Sequence, residues 1–70
     1  MNVAIAIAED ARERLYEIAA ACRAAGFEHH TTLTDVGVLT GSAEFGDLPK
    51  LRAVPGVVAV ERESRRQVPR

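Results

Sequence analysis

Apolar and polar positions alternate at the start of the chain and predict a first β-strand. Residues 3–8 read VAIAIA, in which β-branched side chains occupy every second position. A period of two is typical of a strand that buries one of its faces. We therefore predict a strand that directs Val3, Ile5 and Ile7 toward a core.

Apolar residues next recur at helical spacing and predict a long amphipathic helix. The apolar seam consists of Ala11, Leu15, Ile18, Cys22 and Ala25. Its steps of three and four residues keep these side chains on one face of an α-helix. Glu9 and Asp10 precede the seam, and acidic residues are favoured there because the positive end of the helix dipole lies at the N-terminus. Gly26 follows the seam, and we predict that it ends the helix in a left-handed conformation.

Two more strands are predicted after this helix. Residues 27–33 form the second strand, which is followed by a turn at 34–35 and a third strand at 36–43. Gly37 and Gly41 fall inside the third strand, where glycine marks a bulge or the close approach of another backbone segment. The residues predicted on one face of the second strand are Phe27, His29, Thr31 and Leu33.

A short second helix and a fourth strand complete the pattern. Asp47 is the predicted N-cap residue, and Pro49 lies near the first turn, where proline is tolerated. The Pro-Gly pair at 55–56 stops this helix, and residues 57–60 (VVAV) return as the last strand. The helix residues predicted to cover the sheet are Leu48 and Leu51.

The order of these elements predicts an α+β fold. Right-handed βαβ crossovers in both halves give a ferredoxin-like βαββαβ sandwich, with a four-stranded antiparallel sheet and two helices on one face. A chain of 70 residues has room for one such domain. We predict that this domain spans 1–63 and that 64–70 form a flexible C-terminal tail.

The charge distribution excludes a globally basic nucleic-acid-binding protein. The net charge is −1, but residues 62–70 carry four arginines and one glutamate, whereas residues 1–61 carry five basic and nine acidic residues. An acidic body repels phosphate groups. The basic tail alone is compatible with a contact to RNA or an acidic surface, but a solvated C-terminus is the favoured interpretation. We therefore expect no nucleic-acid partner.

Neither membrane insertion nor a disulfide framework is expected. The apolar run at 3–8 is much shorter than the ~20 residues of a membrane span, and it lacks the basic segment that opens a secretory signal. Cys22 is the only cysteine and lies on the apolar face of the predicted helix, which indicates a buried thiol. The expected location is the cytoplasm, without membrane association.

Residues with catalytic or metal-binding potential do not form a recognisable active site. His29 and His30 are adjacent, so on a strand they point to opposite faces and cannot bind one metal ion together. Lys50 is the only lysine, and a Schiff-base lysine needs a desolvated pocket rather than a surface helix. We predict a non-enzymatic protein without a metal or cofactor. A small lyase that uses Lys50 is the least favoured alternative.

The segment 48–63 (LPKLRAVPGVVAVERE) carries a more specific pattern. It contains a short leucine-bearing helix, a Pro-Gly turn, a strand that ends in valine, and then two acids. This pattern resembles the peptidase inhibitor I9 family, which comprises subtilisin propeptides and free-standing relatives. The predicted order of strands and helices agrees with that family over nearly the whole chain. We expect a free-standing member rather than the prosegment of its own enzyme.

The resemblance implies a way of binding a protease. Glu61 and Glu63 match the two acids that cap a pair of parallel helices on the protease, where unpaired N–H groups attract carboxylates. Alternation along the strand places both acids on the same side. Solvated acids that protect an edge strand are the alternative interpretation. The residues that match the segment held in the substrate cleft as an added strand are Ser64, Arg65, Arg66, Gln67, Val68, Pro69 and Arg70.

Departures from the family pattern predict weak or narrow inhibition. The second acid of the family is usually Asp, and the tail lacks a large apolar anchor four residues before its end. Pro69 cannot donate a backbone hydrogen bond. We expect a cytoplasmic inhibitor or folding helper of a subtilisin-like serine protease, either monomeric or weakly homodimeric. The alternative is a ferredoxin-like regulatory or interaction module, monomeric or dimeric, that does not inhibit a protease.

Overall fold

A computed structural model of the protein describes residues 1–63, and the tail predicted at 64–70 lies outside the described residues. The strands and α-helices, in chain order, are β1 (Asn2–Ile7), α1 (Leu15–Ala24), β2 (Glu28–Leu33), β3 (Val38–Ser42), α2 (Leu48–Arg52) and β4 (Val57–Arg62). A 3₁₀ turn leads into each helix, at Glu9–Arg14 before α1 and at Phe45–Asp47 before α2. The predicted βαββαβ order is confirmed.

The four strands form one antiparallel sheet in the order β2-β3-β1-β4. Strands β1 and β3 lie in the centre, and β2 and β4 lie at the two edges. The two helices cover one face, which gives the predicted ferredoxin-like sandwich. The sheet therefore has a second face that the helices leave uncovered.

The core lies between the helices and one face of the sheet. Ile5 is fully buried at the centre of β1, directly between Leu39 of β3 and Val60 of β4. Leu51 of α2 is also fully buried, and Ile18 of α1 packs into the same cluster. Burial of these side chains drives folding, since each contributes roughly 1.5–3 kcal/mol relative to an exposed one.

Helix α1 ends as its sequence predicts. Gly26 has a φ of 106°, a region that favours glycine. Its N–H donates to the carbonyl oxygen of Arg23 at 3.1 Å, and the N–H of Phe27 donates to that of Cys22 at 3.0 Å. This pair of hydrogen bonds is the Schellman arrangement, which satisfies carbonyl groups at the helix end.

The predicted faces of β2 are wrong beyond His29. His29 lies opposite Gly41, but Thr31 lies opposite Thr40, so His30 is an extra residue in a β-bulge. Because neighbouring residues of β3 point to opposite faces, the bulge turns Thr31 away from the face that His29 occupies. Leu33 lies opposite Val38 and shares the face of Thr31.

The third strand starts two residues later than predicted. Residues 34–37 form the turn, and Gly37 belongs to it with a φ of 69°. The main-chain N–H of Ile7 donates to the carbonyl oxygen of Gly37 at 2.8 Å, and Nη2 of Arg12 donates to that of Val36 at 3.0 Å. These tertiary bonds tie the turn to the first half of the chain.

The residues before α2 also differ from the prediction in one respect. Asp47 occupies the N-cap position, but its side chain makes no capping hydrogen bond. Its carboxylate instead pairs with Nζ of Lys50 at 3.4 Å.

The fourth strand is longer than predicted. Strand β4 extends past the predicted 57–60 and includes Glu61.

Candidate functional site

The uncovered face of the sheet is built from small side chains at its centre. We call it the open face, and its members are Ala4, Ala6, Thr31, Leu33, Val38, Thr40, Ser42, Ala59 and Glu61. Ala4 and Ala6 alternate with the core residues of β1 and are only partly buried. Ala6 lies opposite Ala59 of β4, so three alanines form a flat apolar centre. Such a surface lets another element approach the sheet closely.

Glu61 stands at the rim of this open face. It lies opposite Ala4 on edge strand β4, whereas its neighbour Val60 is buried in the core. Because successive side chains of a strand alternate, the Glu61 carboxylate points to the side that the helices leave free. The residue is exposed, and its carboxylate has no hydrogen bond or ion pair within residues 1–63.

Glu63 immediately follows β4 and forms a row of two acids with Glu61. Its main-chain N–H donates to the carbonyl oxygen of Asn2 at 2.8 Å, so the pairing with β1 reaches this residue. The register therefore places Glu63 on the side of Glu61, about 6–7 Å further along the strand. Two exposed carboxylates thus stand in one row beside the open face, free to accept hydrogen bonds from a partner.

Glu28, a third acid at the opposite rim of the open face, differs from Glu61 and Glu63 because it has a hydrogen-bond partner. Glu28 lies on edge strand β2 opposite Ser42, and the Ser42 hydroxyl donates to its Oε1 at 3.3 Å. Glu28 therefore has a partner on its own sheet. Glu61 and Glu63 have no such partner within residues 1–63.

The two histidines take different positions. Oγ1 of Thr32 and Nε2 of His29 are hydrogen-bonded at 2.8 Å, and the His29 ring stacks on Phe27 with centroids 6.0 Å apart. These contacts give His29 a structural role at the edge of the core. His30 is exposed in the bulge. Within residues 1–63, no group of three or more His, Cys, Asp or Glu side chains is placed to hold a metal ion.

The remaining residues with reactive side chains are placed as follows. Lys50 lies on the surface of α2, with 67% of its side chain exposed and the Asp47 carboxylate beside it. This position does not supply the desolvation that a Schiff-base lysine needs.

Cys22 is buried in the core, as predicted. Burial raises the pKa of its thiol above the ordinary value, although the charge of Arg23 opposes this shift. A buried neutral thiol is a poor nucleophile.

With both helices predicted on one face, the sequence predicted the two acids and an uncovered face of the sheet, but not the small side chains at the centre of that face. The signal was present in β1, where Ala4 and Ala6 alternate with buried β-branched residues. These alanines form a flat surface only because the strand register places Thr40 beside Ala4 and Ala59 beside Ala6. Tail residues 64–70, predicted to bind in a protease cleft, lie outside the described part of the chain.

Comparison of the chain with protein-family models, with curated proteins and with solved structures finds no match. The candidate site therefore depends on its own geometry and on the pattern of segment 48–63. None of the helices in residues 1–63 combines the length and the apolar character needed to cross a lipid bilayer.

Proposed function

We propose that the protein is a cytoplasmic, non-enzymatic inhibitor or folding helper of a subtilisin-like serine protease, as its resemblance to the I9 family implies. The observation that carries this proposal is the row formed by Glu61 and Glu63 beside the open face. Both carboxylates are exposed and without partners in residues 1–63, so neither has to break an ion pair there when it binds another protein.

The chemistry of the row suits the N-termini of two helices. A helix N-terminus presents unpaired N–H groups and a partial positive charge, and a carboxylate satisfies both. Glu61 and Glu63 are spaced along one strand, so each can serve a different helix of a parallel pair. The alanine centre of the open face, at Ala4, Ala6 and Ala59, offers those helices a surface without bulky obstacles.

The tail extends this proposal from binding to inhibition. In the I9 family the segment after the second acid enters the substrate cleft as an added strand, and residues 64–70 correspond to it. Main-chain hydrogen bonds give such an added strand its affinity. The absence of a large apolar anchor and the presence of Pro69 favour weak or narrow inhibition of the protease.

Neutralising both acids should weaken binding to the protease. Each carboxylate at a helix N-terminus contributes roughly 0.3–1 kcal/mol, and up to ~2 kcal/mol when partly buried. We expect E61Q/E63Q to lose about 1–3 kcal/mol of binding free energy, or roughly 5- to 150-fold in Kd. Isothermal titration calorimetry against an active-site-blocked subtilisin-like protease measures this change directly.

A matched variant separates the local effect from the change in net charge. E13Q/E17Q removes the same charge from exposed positions on the helical layer, on the other side of the sheet. Its Kd should stay within about twofold of the unmodified chain. Equal weakening by both double variants would show that general electrostatic attraction, rather than helix capping, holds the complex. Unchanged binding of E61Q/E63Q would remove the two acids from the proposed interface.

A ferredoxin-like interaction module without inhibitory activity is the second candidate function. The β2-β3 hairpin favours it, because Leu33 and Val36 expose 44% and 56% of their surfaces near the turn. Exposed apolar side chains grouped at one end of a small domain mark a site of protein contact. A partner that binds the hairpin and leaves Glu61 and Glu63 accessible would support this function over protease docking.

A further inference from the structure

The side chains of the open face form bands that cross all four strands, and the band nearest the β2-β3 turn is entirely apolar. Leu33 lies opposite Val38 of β3, which in turn lies opposite Ala6 of β1. Ala59 of β4 lies on the other side of Ala6. We call these four residues the apolar band. Leu33 exposes 44% of its surface at the β2 rim, and the other three are partly buried, so the band has its bulkiest exposed side chain at one end.

The next two bands are progressively more polar. From β2 to β4, the second band consists of Thr31, Thr40, Ala4 and Glu61. The third band consists of Glu28, Ser42, Asn2 and Glu63, whose N–H donates to the carbonyl oxygen of Asn2. Along β1, neighbouring bands are two residues apart, or about 6–7 Å. The open face therefore changes from apolar at the turn end to polar at the other end, where an acid lies at each rim.

Glu61 and Glu63 set the direction in which two capped helices cross the sheet. Under the proposed function each acid caps one helix of a parallel pair, and both acids lie at the β4 rim. Helices that begin side by side along β4 stay on the open face when they run across the strands, toward β2. The acids are about 6–7 Å apart, and their side chains can splay toward the 8–10 Å between the axes of packed helices. Splaying moves the helix capped by Glu61 toward the apolar band.

We propose that the helix capped by Glu61 packs against the apolar band and that Leu33 is the specificity-determining contact at its far end, an inference that rests on the proposed function. The open face is three strand spacings wide, or about 14 Å. At 1.5 Å per residue, a helix crosses this width in about nine or ten residues. The partner is therefore a helix with an apolar stripe, whose side chain about nine or ten residues after the N-cap meets Leu33.

The polarity of the bands requires the two partner helices to differ. The helix capped by Glu63 lies on the third band, where an apolar stripe would desolvate Asn2, Ser42 and Glu28 without replacing their hydrogen bonds to water. A polar stripe suits this second helix, whereas an apolar stripe suits the first. A protease with the opposite arrangement is disfavoured at both bands. Leu33 thereby discriminates among proteases that all present a pair of parallel helices.

Isothermal titration calorimetry with an active-site-blocked subtilisin-like protease tests the apolar band. Leu33→Gln should raise Kd about tenfold, because a polar amide replaces an apolar contact that binding buries. Leu33→Met keeps the apolar surface and should bind within about twofold of the unmodified chain. Leu33 is exposed, so both substitutions leave the fold intact, which circular dichroism verifies.

Tyr16→Gln is the matched control, since it removes an apolar side chain that is 76% exposed on α1, in the helical layer. Its Kd should equal that of the unmodified chain. Leu33 and Glu61 lie at opposite rims, so the effects of Leu33→Gln and E61Q/E63Q should add in a combined variant.

The other outcomes separate the apolar band from the proposed function. Unchanged binding of Leu33→Gln, where E61Q/E63Q binds more weakly, would overturn the band and leave protease docking intact. Equal weakening by Leu33→Met and Leu33→Gln would also overturn it, since apolar character would then not matter. Failure of the unmodified chain to bind any subtilisin-like protease would overturn both proposals. A dimer of the chain alone that Leu33→Gln dissociates, in sedimentation equilibrium, would assign the band to a second copy and overturn the helix as its partner.

Discussion

Gly41→Ala is expected to lower the free energy of unfolding by about 1–3 kcal/mol, as overpacking of a close backbone contact does. A Cβ at Gly41 would collide with the main-chain oxygen of Glu28 and lie 2.8 Å from Cζ of Phe27. The first obstacle is backbone in β2 and cannot rotate away. Net stability of a domain this small is a few kcal/mol, so the loss is a large fraction of the total.

Urea denaturation followed by circular dichroism measures this loss as a lower midpoint at an unchanged slope. Gly46→Ala is the matched control, because a Cβ at Gly46 would meet no atom within 4 Å. Its midpoint should remain close to that of the unmodified chain. Equal midpoints for the two variants would contradict the tight approach of β2 to Gly41.

A chain that ends at Glu63 is expected to bind the protease but to lose most of its inhibition. Under the proposed mechanism the tail occupies the substrate cleft through main-chain hydrogen bonds. Two or three such bonds contribute roughly 1 kcal/mol each, so their loss raises the inhibition constant about 30- to 150-fold. The inhibition constants of the full and shortened chains, measured with a chromogenic peptide substrate, give the ratio.

Calorimetry with an active-site-blocked protease supplies the control for this truncation. When the cleft is filled by the blocking group, the tail cannot enter it, so both chains should bind with similar affinity through Glu61 and Glu63. Equal inhibition by the two chains would contradict the tail mechanism. Inhibition by neither chain would contradict it as well, and would leave the ferredoxin-like interaction module as the better account.

The fold was predictable because its local signals agree with the tertiary structure. Alternation at 3–8 marks β1, and the seam that includes Leu15 and Ile18 marks the buried face of α1. Gly26 ends that helix through hydrogen bonds that depend only on neighbouring residues. These features are local in sequence, so composition and spacing describe them fully.

The errors arose where distant residues decide the local structure. The bulge at His30 depends on the approach of β2 to Gly41, which no spacing within β2 records. Gly37 belongs to the turn with a φ of 69°, and Ile7 and Arg12 bond to this turn from the first half of the chain. Strand periodicity alone cannot place either residue.

Only part of the candidate site was predictable from the sequence. The spacing of Glu61 and Glu63 places them on one side of any strand, and that much follows from the sequence. Their position beside a surface of small side chains follows from the pairing of Ala4 with Glu61 and of Ala6 with Ala59.

Docking to a subtilisin-like serine protease is tested most directly by titrating the full 70-residue chain against several such enzymes. Hydrolysis of a small peptide substrate is followed at several substrate concentrations. The proposed function predicts that hydrolysis by at least one enzyme falls as the chain is added, with a competitive pattern, since the tail and the substrate share the cleft. Unchanged hydrolysis by every enzyme at about 1 mM of the chain, an affinity limit of about −4 kcal/mol, would contradict it.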